Sequence, residues 1–540
     1  MKKILLITAF FIIISVNGQL RLVKDLYPAG GDSFPRNFAV SNGKLFFSSY
    51  YLPGSWYLNS SDGTAIGTDR VRFDDPNTGQ YILNNSAIIK YYNYNNELYY
   101  SALDQNLSNF FALKISGNSN IGTKILNLTT SLNHLSGAGG QLTEAIFFNN
   151  EIIYNPVATN TGSGVELYKI NLTTNVGSLI KDIWLTSGSS NPKDLIAFNN
   201  KIYFTANNGN LGREIWQTDG TGVGTSLYLD VITGTTGSNP DQLNTMGTLL
   251  TFVADNTTTG RELFKTNGSG SLNVVRNINP TGDSNPTNVT KIDNTLYFSA
   301  DNGTVGYELW KSDGSTSLGT FLVKDINPSG DSNISKLIKI GTSIYFTAND
   351  GTNGVELWKT DGTNAGTVLV KNINPTGNSN PDYLTEYNGK LYFTADNGSN
   401  GVELWVSDGT SIGTTMIEIN PTASSAISDL IVFNNELYFG ASVSVALGKE
   451  VYAYADPALN TNNFSLNEIA ITLSPNPAKN YFELTTELSI EKIEIYSMLG
   501  QLVKTFDMQN QYAISDLGKG SYIVKIRTSE GTSNKTLLIE

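Results

Sequence analysis

Seven glutamates are each followed two residues later by an aromatic ring. The pairs are Glu166 and Tyr168, Glu214 and Trp216, Glu262 and Phe264, Glu308 and Trp310, Glu356 and Trp358, Glu403 and Trp405, and Glu450 and Tyr452. Three of these segments are nearly one spelling: ELWKSDG at 308–314, ELWKTDG at 356–362 and ELWVSDG at 403–409. A carboxylate can act as acid, base or nucleophile, and an aromatic face can hold a ligand. Catalysis, however, needs one set of groups aimed at one point. Seven evenly spaced copies cannot share one point, so the spacing predicts structural work. The aromatic would fill space between repeated units, and the carboxylate would accept hydrogen bonds from a turn. The Asp-Gly pairs at 219–220, 313–314, 361–362 and 408–409 supply turns that tolerate left-handed backbone. No catalytic residue is identified, and the pattern favours a protein that is not an enzyme.

Other chemistry is limited by composition. There is no cysteine, which excludes thiolate zinc sites, disulfides and a cysteine nucleophile. The one histidine, His134, lies in an Asn/Ser-rich stretch and reads as a solvated loop residue. Loops such as ADNGTVG (300–306), ANDGTNG (348–354) and ADNGSNG (395–401) gather side-chain oxygens. Calcium takes about six to eight oxygens. Each loop offers too few carboxylates for that, so no cofactor is assigned and calcium stands as the alternative. The Ser-Asp-Gly-Thr segments have the aromatic before the aspartate, unlike the Asp-box of sialidase-like propellers, so glycosidase activity is not carried across. The residues that break the repeat are Trp56 and Tyr57, Tyr91 to Tyr94, His134 and Trp184. Aromatics on loop tips can stack on sugars, which makes these the candidates for a ligand.

The elements that must position these residues are strands. A short apolar-aromatic pattern recurs nine times, with third residues at Phe47, Tyr100, Tyr154, Phe204, Phe252, Phe298, Phe346, Phe393 and Phe439. The step is 46 to 54 residues. One unit, 383–420, reads as four short strands separated by turns, without helical periodicity. Four antiparallel strands in about 40–50 residues is the size of a propeller blade. The expected fold is all-β: a β-propeller of about nine four-stranded blades, or eight if one unit is misread. The segment LRLVKDLYPAGGDS (20–33) matches the fourth strand FLVKDINPSGDS (321–332), yet no earlier strand of a blade precedes it. The last unit stops without a fourth strand. The N-terminal strand is therefore expected to complete the last blade and close the ring, which leaves no open edge.

The formal net charge is −13 and lysine and arginine form no run, which argues against nucleic acid and anionic membrane as partners. Residues 1–18, with Lys2 and Lys3 before an apolar run, read as a secretory signal peptide. No later segment is apolar enough to span a bilayer. The repeat resembles the ELWxTDGT family of secreted bacterial proteins, closely at 296–326, 344–373 and 391–419. That resemblance implies secretion and a propeller-like array, with no defined activity.

After Asp456-Pro457 a polar stretch, 458–468, reads as a linker, and period-two strands from 469 to 540 suggest a small β-sandwich. Pro475-Asn476-Pro477, IYSMLGQLVK with Gly500, and LGKGSYIVKI with Gly520 and Tyr522 occur in order. This tail resembles the type A C-terminal sorting domain of the type IX secretion system of Bacteroidota. The resemblance implies export to the cell surface or medium, with the type IX machinery as partner. The chain is thus expected to be a leader (1–18), a propeller (19–457), a linker and a sorting domain (469–540). Its expected function is secreted or cell-surface binding or adhesion to glycans or proteins; a polysaccharide-acting glycosidase or lyase is the alternative.

Overall fold

The computed structural model describes residues 19–540 apart from 28–30, 51–55, 74–89, 104–109, 118–120, 128–143, 157–163, 186–187, 316, 445–446, 457–470, 487–489, 498–500, 508, 510 and 529–530. The expected leader, His134, the linker at 458–468 and Gly500 lie outside the described residues. The chain divides into two compact units, Met1–Asp456 and Pro457–Glu540.

Among the described residues the first unit is a β-propeller of nine blades, each an antiparallel sheet apart from one added parallel strand in blade 2. Blade 1 spans 36–70, blade 2 91–127, blade 3 144–181, blade 4 193–229, blade 5 241–276, blade 6 287–324, blade 7 335–371, blade 8 382–417 and blade 9 428–455. Blade 8 is representative, with strands Asp382–Tyr387, Lys390–Asp396, Val402–Ser407 and Thr415–Ile417 in that order across the sheet. Its first turn is made by Asn388 and Gly389, both at positive φ, the pairing that a tight hairpin requires. The second strand is apolar on both faces. Leu391, Phe393 and Ala395 pack on Tyr345 and Leu357 of blade 7, while Tyr392 meets Tyr454 of blade 9 at 6.0 Å. Other hydrophobic clusters likewise draw on two neighbouring blades, so the core is a set of interblade layers.

First strands of successive blades touch from blade 3 round to blade 9, and that of blade 9 touches that of blade 1. Tyr91 Oη of blade 2 lies 3.3 Å from Ser48 Oγ of blade 1, and Tyr94 stacks on Phe147 of blade 3 at 4.4 Å. The ring is therefore closed, with the first strands innermost. The N-terminal strand Gln19–Lys24 supplies the outer strand of blade 9, pairing antiparallel from Gln19 opposite Ala455 to Leu22 opposite Tyr452. Blade 2 departs from the four-stranded expectation. Arg72–Phe73 adds to it in parallel beside Ile121–Asn127, making five strands. These residues leave blade 1 directly after Asp69–Arg70, and the extended chain meets the unpaired backbone of the neighbour's outer edge. Apart from one 3-10 turn at Ser317–Gly319, the described residues hold no helix, and none long and apolar enough to cross a membrane.

The second unit is a sandwich of a three-stranded and a four-stranded sheet. Phe482 and Tyr512 from one and Ile493, Ile495, Val524, Ile526 and Leu537 from the other share its core.

Candidate binding site at the mouth of the ring

The recurring glutamates are fully buried. Each begins or nearly begins a third strand and accepts hydrogen bonds from the chain on its way to the next blade. Glu356 takes Ile373 N at 2.8 Å, Asn374 N at 3.2 Å, Ser379 N at 3.2 Å and Ser379 Oγ at 2.6 Å. Glu166, Glu214, Glu262, Glu308 and Glu403 take donors from the same connection in their own blades. Glu450 repeats this across the seam, accepting from Leu26 N at 2.9 Å and Ser33 Oγ at 2.7 Å. Burial raises Glu308 and Glu450 to about 7, against hydrogen bonds that favour the ionised form. Ser33 Oγ is also 2.9 Å from Lys449 O. Its proton can turn to either oxygen, which leaves both protonation states of Glu450 with a partner.

Trp216, Trp310, Trp358 and Trp405 lie in the interblade clusters. Trp405 Nε1 donates to Ala395 O at 3.1 Å, whereas Nε1 of the other three is buried without a hydrogen bond. The Asp-Gly turns are wired from within. Asp408 Oδ1 accepts from Thr410 N and Oγ1, Gly413 N donates to Thr410 Oγ1, and Thr414 Oγ1 donates to Thr410 O. Blade 1 has the same turn at Asp62-Gly63-Thr64, which sequence reading missed although Ser-Asp-Gly-Thr is spelled there. In the loops considered for calcium, Asp301 Oδ1 accepts Gly303 N, and Asn302 Oδ1 accepts Thr304 N and Val305 N. Among the described residues no group of three or more His, Cys, Asp or Glu could hold a metal ion.

Against this repeated frame, one inner position differs from blade to blade. The second residue of the first strand is Asn37, Asp194, Gln242, Asn288, Lys336, Tyr383 and Asp429 in blades 1, 4, 5, 6, 7, 8 and 9, and each has positive φ. In each of these strands the register shifts between the first residue and the fourth, so this residue lies in a bulge. A bulge re-aims a side chain. Since first strands are innermost, these residues rim one end of the central opening.

Where blades 8, 9 and 1 meet, the rim encloses a cavity of about 540 Å³ lined by Phe34, Arg36, Asn37, Trp56, Tyr383, Asp429 and Lys449, among others. The Arg36 guanidinium lies 3.7 Å from the centre of the Trp56 ring, a cation–π contact, and Trp56 meets Tyr50 edge-on at 5.5 Å. Phe34 and Tyr383 are 44% and 37% exposed, so their faces are open to a ligand. Asp429 Oδ2 accepts Asn37 N at 2.5 Å; burial nevertheless raises its pKa, and burial lowers that of Lys449. Arg36 Nε is buried without a hydrogen bond. A second cavity of about 520 Å³ on the seam is lined by Arg21, Asp62 and Glu436, but Arg21 is held there by Glu436 at 2.6 Å.

The repeat-breaking aromatics are thus dispersed. Trp56 joins the rim cavity; Tyr57 lies under Arg70, Tyr94 packs on Phe147, and Trp184 N donates to Glu166 Oε1 at 3.4 Å. On another arc of the rim, burial and then Glu144 raise Asp194 to about 6, while Glu144 Oε2 accepts Asp194 N at 2.7 Å. Sequence reading missed Arg36, Tyr383, Asp429 and Lys449. The available signal was variation at one column of an otherwise repeated alignment of the units.

In the second unit, Asn476 Nδ2 donates to Thr536 O at 2.7 Å and Leu538 N donates to Asn476 Oδ1 at 2.8 Å. The Pro-Asn-Pro motif therefore grips the last strand, Gly531–Ile539, with both peptide bonds into proline cis. Tyr522 Oη donates to Gly518 O at 2.9 Å, and Gly520 opens the strand Gly520–Thr528.

No curated protein sequence matches the chain. Among solved structures, it is similar to the extracellular domain of the putative hybrid two component system BT3049 from B. thetaiotaomicron, at 10% identity and a TM-score of 0.25, covering 94% of this chain and 98% of that one. A prolyl endopeptidase is similar at 8% identity and a TM-score of 0.40 over 65% of this chain; the match spans about half, 54%, of the peptidase. The β-propeller domain of the Trilobed protease from Pyrococcus furiosus is similar at 7% identity and a TM-score of 0.33, covering 61% of this chain and 93% of that one. Residues 472–540 match the family described as the Secretion system C-terminal sorting domain, a type IX sorting tail, which marks this chain as secreted or cell-surface cargo.

Proposed function

We propose that the exported cargo is a binding module, and that the cavity at the rim of blades 8, 9 and 1 takes a glycan ligand. The observation that carries this reading is the rim itself. The blades repeat their framework residues, while the position facing the opening is an amide, a carboxylate, a lysine or a tyrosine in different blades and lies beside the partly exposed rings of Phe34 and Tyr383. Rings with polar neighbours suit sugars, whose C–H faces stack and whose hydroxyls seek hydrogen bonds. In this reading Glu214, Glu308, Glu356 and Glu403 with Trp216, Trp310, Trp358 and Trp405 hold blades together, and the repeat is of the ELWxTDGT type. Residues 1–18 act as leader, 19–457 as the ring, 458–468 as linker and 469–540 as the part read by the type IX machinery. A glycan array and a hydrolysis screen, both on the full-length chain, test the proposal. Binding without turnover supports it, and a protein ligand with no glycan binding refutes the glycan assignment.

The polysaccharide-acting alternative has one favouring observation. Asp194, raised to about 6 beside Glu144, is half protonated in mildly acidic medium, where it could serve as a general acid. New reducing ends or unsaturated products, abolished by Asp194→Asn, would establish that reading instead.

A further inference from the structure

The rim contains its own control for charge. The residue that opens the third strand is Arg213 in blade 4 and Lys449 in blade 9, and Arg261 stands at the same place, directly before the third strand, in blade 5. Arg261 is paired with Asp241 at 2.8 Å and Asp255 at 2.9 Å. Arg213 donates to Thr205 O at 3.1 Å and Asn191 O at 2.8 Å. By register, the counterparts of Asp241 and Asp255 in blade 9 are Ser428 and Ser442. The two carboxylates that neutralise this cation in blade 5 are hydroxyls in blade 9. Among the described residues, Lys449 Nζ has neither an ion pair nor a hydrogen bond.

Arg36 repeats the pattern on the other wall of the same cavity. Its place in the first strand is Asp382 in blade 8, where the carboxylate pairs with Lys336 at 2.9 Å. In blade 1 the residue is a cation, held over Trp56 by the ring face and, among the described residues, with no hydrogen bond or ion pair. Asp429 is the one carboxylate lining the cavity, and it already accepts Asn37 N. Two cations and one carboxylate thus line a half-enclosed space in a chain whose formal net charge is −13.

Resting on the glycan reading above, we infer that this cavity recognises an acidic saccharide, a sugar ring bearing a carboxylate, with Arg36 and Lys449 receiving the anion and Phe34 and Tyr383 the ring face. Asp429 acts on both cations and Asp32 on Lys449, but neither carboxylate pairs with them directly, and a guanidinium or ammonium that is already partly desolvated gains from a bound anion. Burial lowers the pKa of Lys449, and a bound carboxylate would reverse that shift. The exposed rings favour a saccharide over a bare anion, for which they would have no use. Asp429 and Asn37 are placed to meet hydroxyls beside the carboxylate.

The test is calorimetric titration of the full-length chain with oligogalacturonate, with a neutral β-glucan oligosaccharide, with an acidic peptide and with inorganic phosphate. The inference expects oligogalacturonate to bind, Lys449→Gln and Arg36→Gln each to weaken it about tenfold or more, Lys449→Arg to restore most of the loss, and binding to weaken with salt. Lys339→Gln, which removes a blade 7 lysine outside the cavity already paired with Asp293, should leave it unchanged. Thermal melts of each variant separate loss of the site from loss of the fold. If the neutral oligosaccharide binds as well and Lys449→Gln changes nothing, the anion assignment is wrong and the glycan reading stands. If the peptide or phosphate binds and no saccharide does, or if nothing binds, both are overturned.

Discussion

Replacing Glu450 by alanine should open the ring at its seam, whereas replacing Glu356 should not, although Glu356 holds more donors. Loss of Glu356 strands Ile373 N and Asn374 N, while the amide and hydroxyl of Ser379 keep Val355 O. That connection remains tied at both ends, to blade 7 and to blade 8. Loss of Glu450 strands Leu26 N, while Ser33 Oγ keeps Lys449 O, in a segment held on one side by the chain and on the other by pairing of Gln19–Lys24 with blade 9. Each buried donor left without a partner costs about 1–3 kcal/mol. The lower figure already raises the opened population roughly five-fold. Trypsin reads this directly, because Arg21 and Lys24 lie in the strand that would peel. Under mild digestion Glu450→Ala should be cut after Arg21 and Lys24 at least about five times faster than wild type. Glu356→Ala should lower the melting temperature at least as much without accelerating those cuts. Equal cleavage in both variants, or wild-type cleavage in Glu450→Ala, would falsify the seam argument. Should the alanine variant fail to fold, Glu450→Gln keeps one acceptor and gives a graded version of the measurement.

Further outcomes follow from the same geometry. Glu308 and Glu450 have folded pKa values near 7, above the ordinary carboxylate value, so the folded state binds more protons between about pH 4.5 and 7. Their stabilisation is complete below about pH 4.5 and is lost as pH rises through 7, by about 3 kcal/mol each. Melting temperature at fixed ionic strength should therefore fall from pH 5 to pH 8, and Glu450→Gln should flatten part of that slope; a rise over this range contradicts it. Trp358→Ala should cost about 3–5 kcal/mol by chemical denaturation, because its ring fills the layer between blades 6 and 7. Trp405→Phe should cost more than Trp358→Phe, since only Trp405 loses an indole hydrogen bond. In the sorting tail, Asn476→Ala should collapse hydrogen-exchange protection of the Leu538 amide and lower the exported fraction in a type IX host.

The legible parts of this protein are those that every blade requires. Strand alternation around Leu391, Tyr392 and Phe393, tight turns at Asn-Gly and Asp-Gly, and the buried glutamate with its aromatic neighbour are local demands, so they recur at a fixed interval and can be read by eye. Ring closure was legible for a related reason: 20–33 is spelled like a fourth strand and has no blade of its own. The partner of each glutamate was only half visible. The carboxylate was expected to serve a turn, and it serves the connection into the next blade, some 17 to 24 residues on. In blade 1 the frame itself lapses, with Tyr57 and Asn59 standing where Glu403 and Trp405 stand in blade 8.

By itself, then, the order of residues determined a closed array of sheets with an export tail, because short-range pairing and two-sided burial leave a periodic trace. Only the tertiary structure decided where a ligand could be held. Phe34, Arg36, Trp56, Tyr383, Asp429 and Lys449 come from opposite ends of the propeller sequence and meet because the strand Gln19–Lys24 completes the last blade. Whether Lys449 is paired depends on the residues that register places beside it, Ser428 and Ser442 in place of two aspartates, and register across strands is a property of the folded sheet.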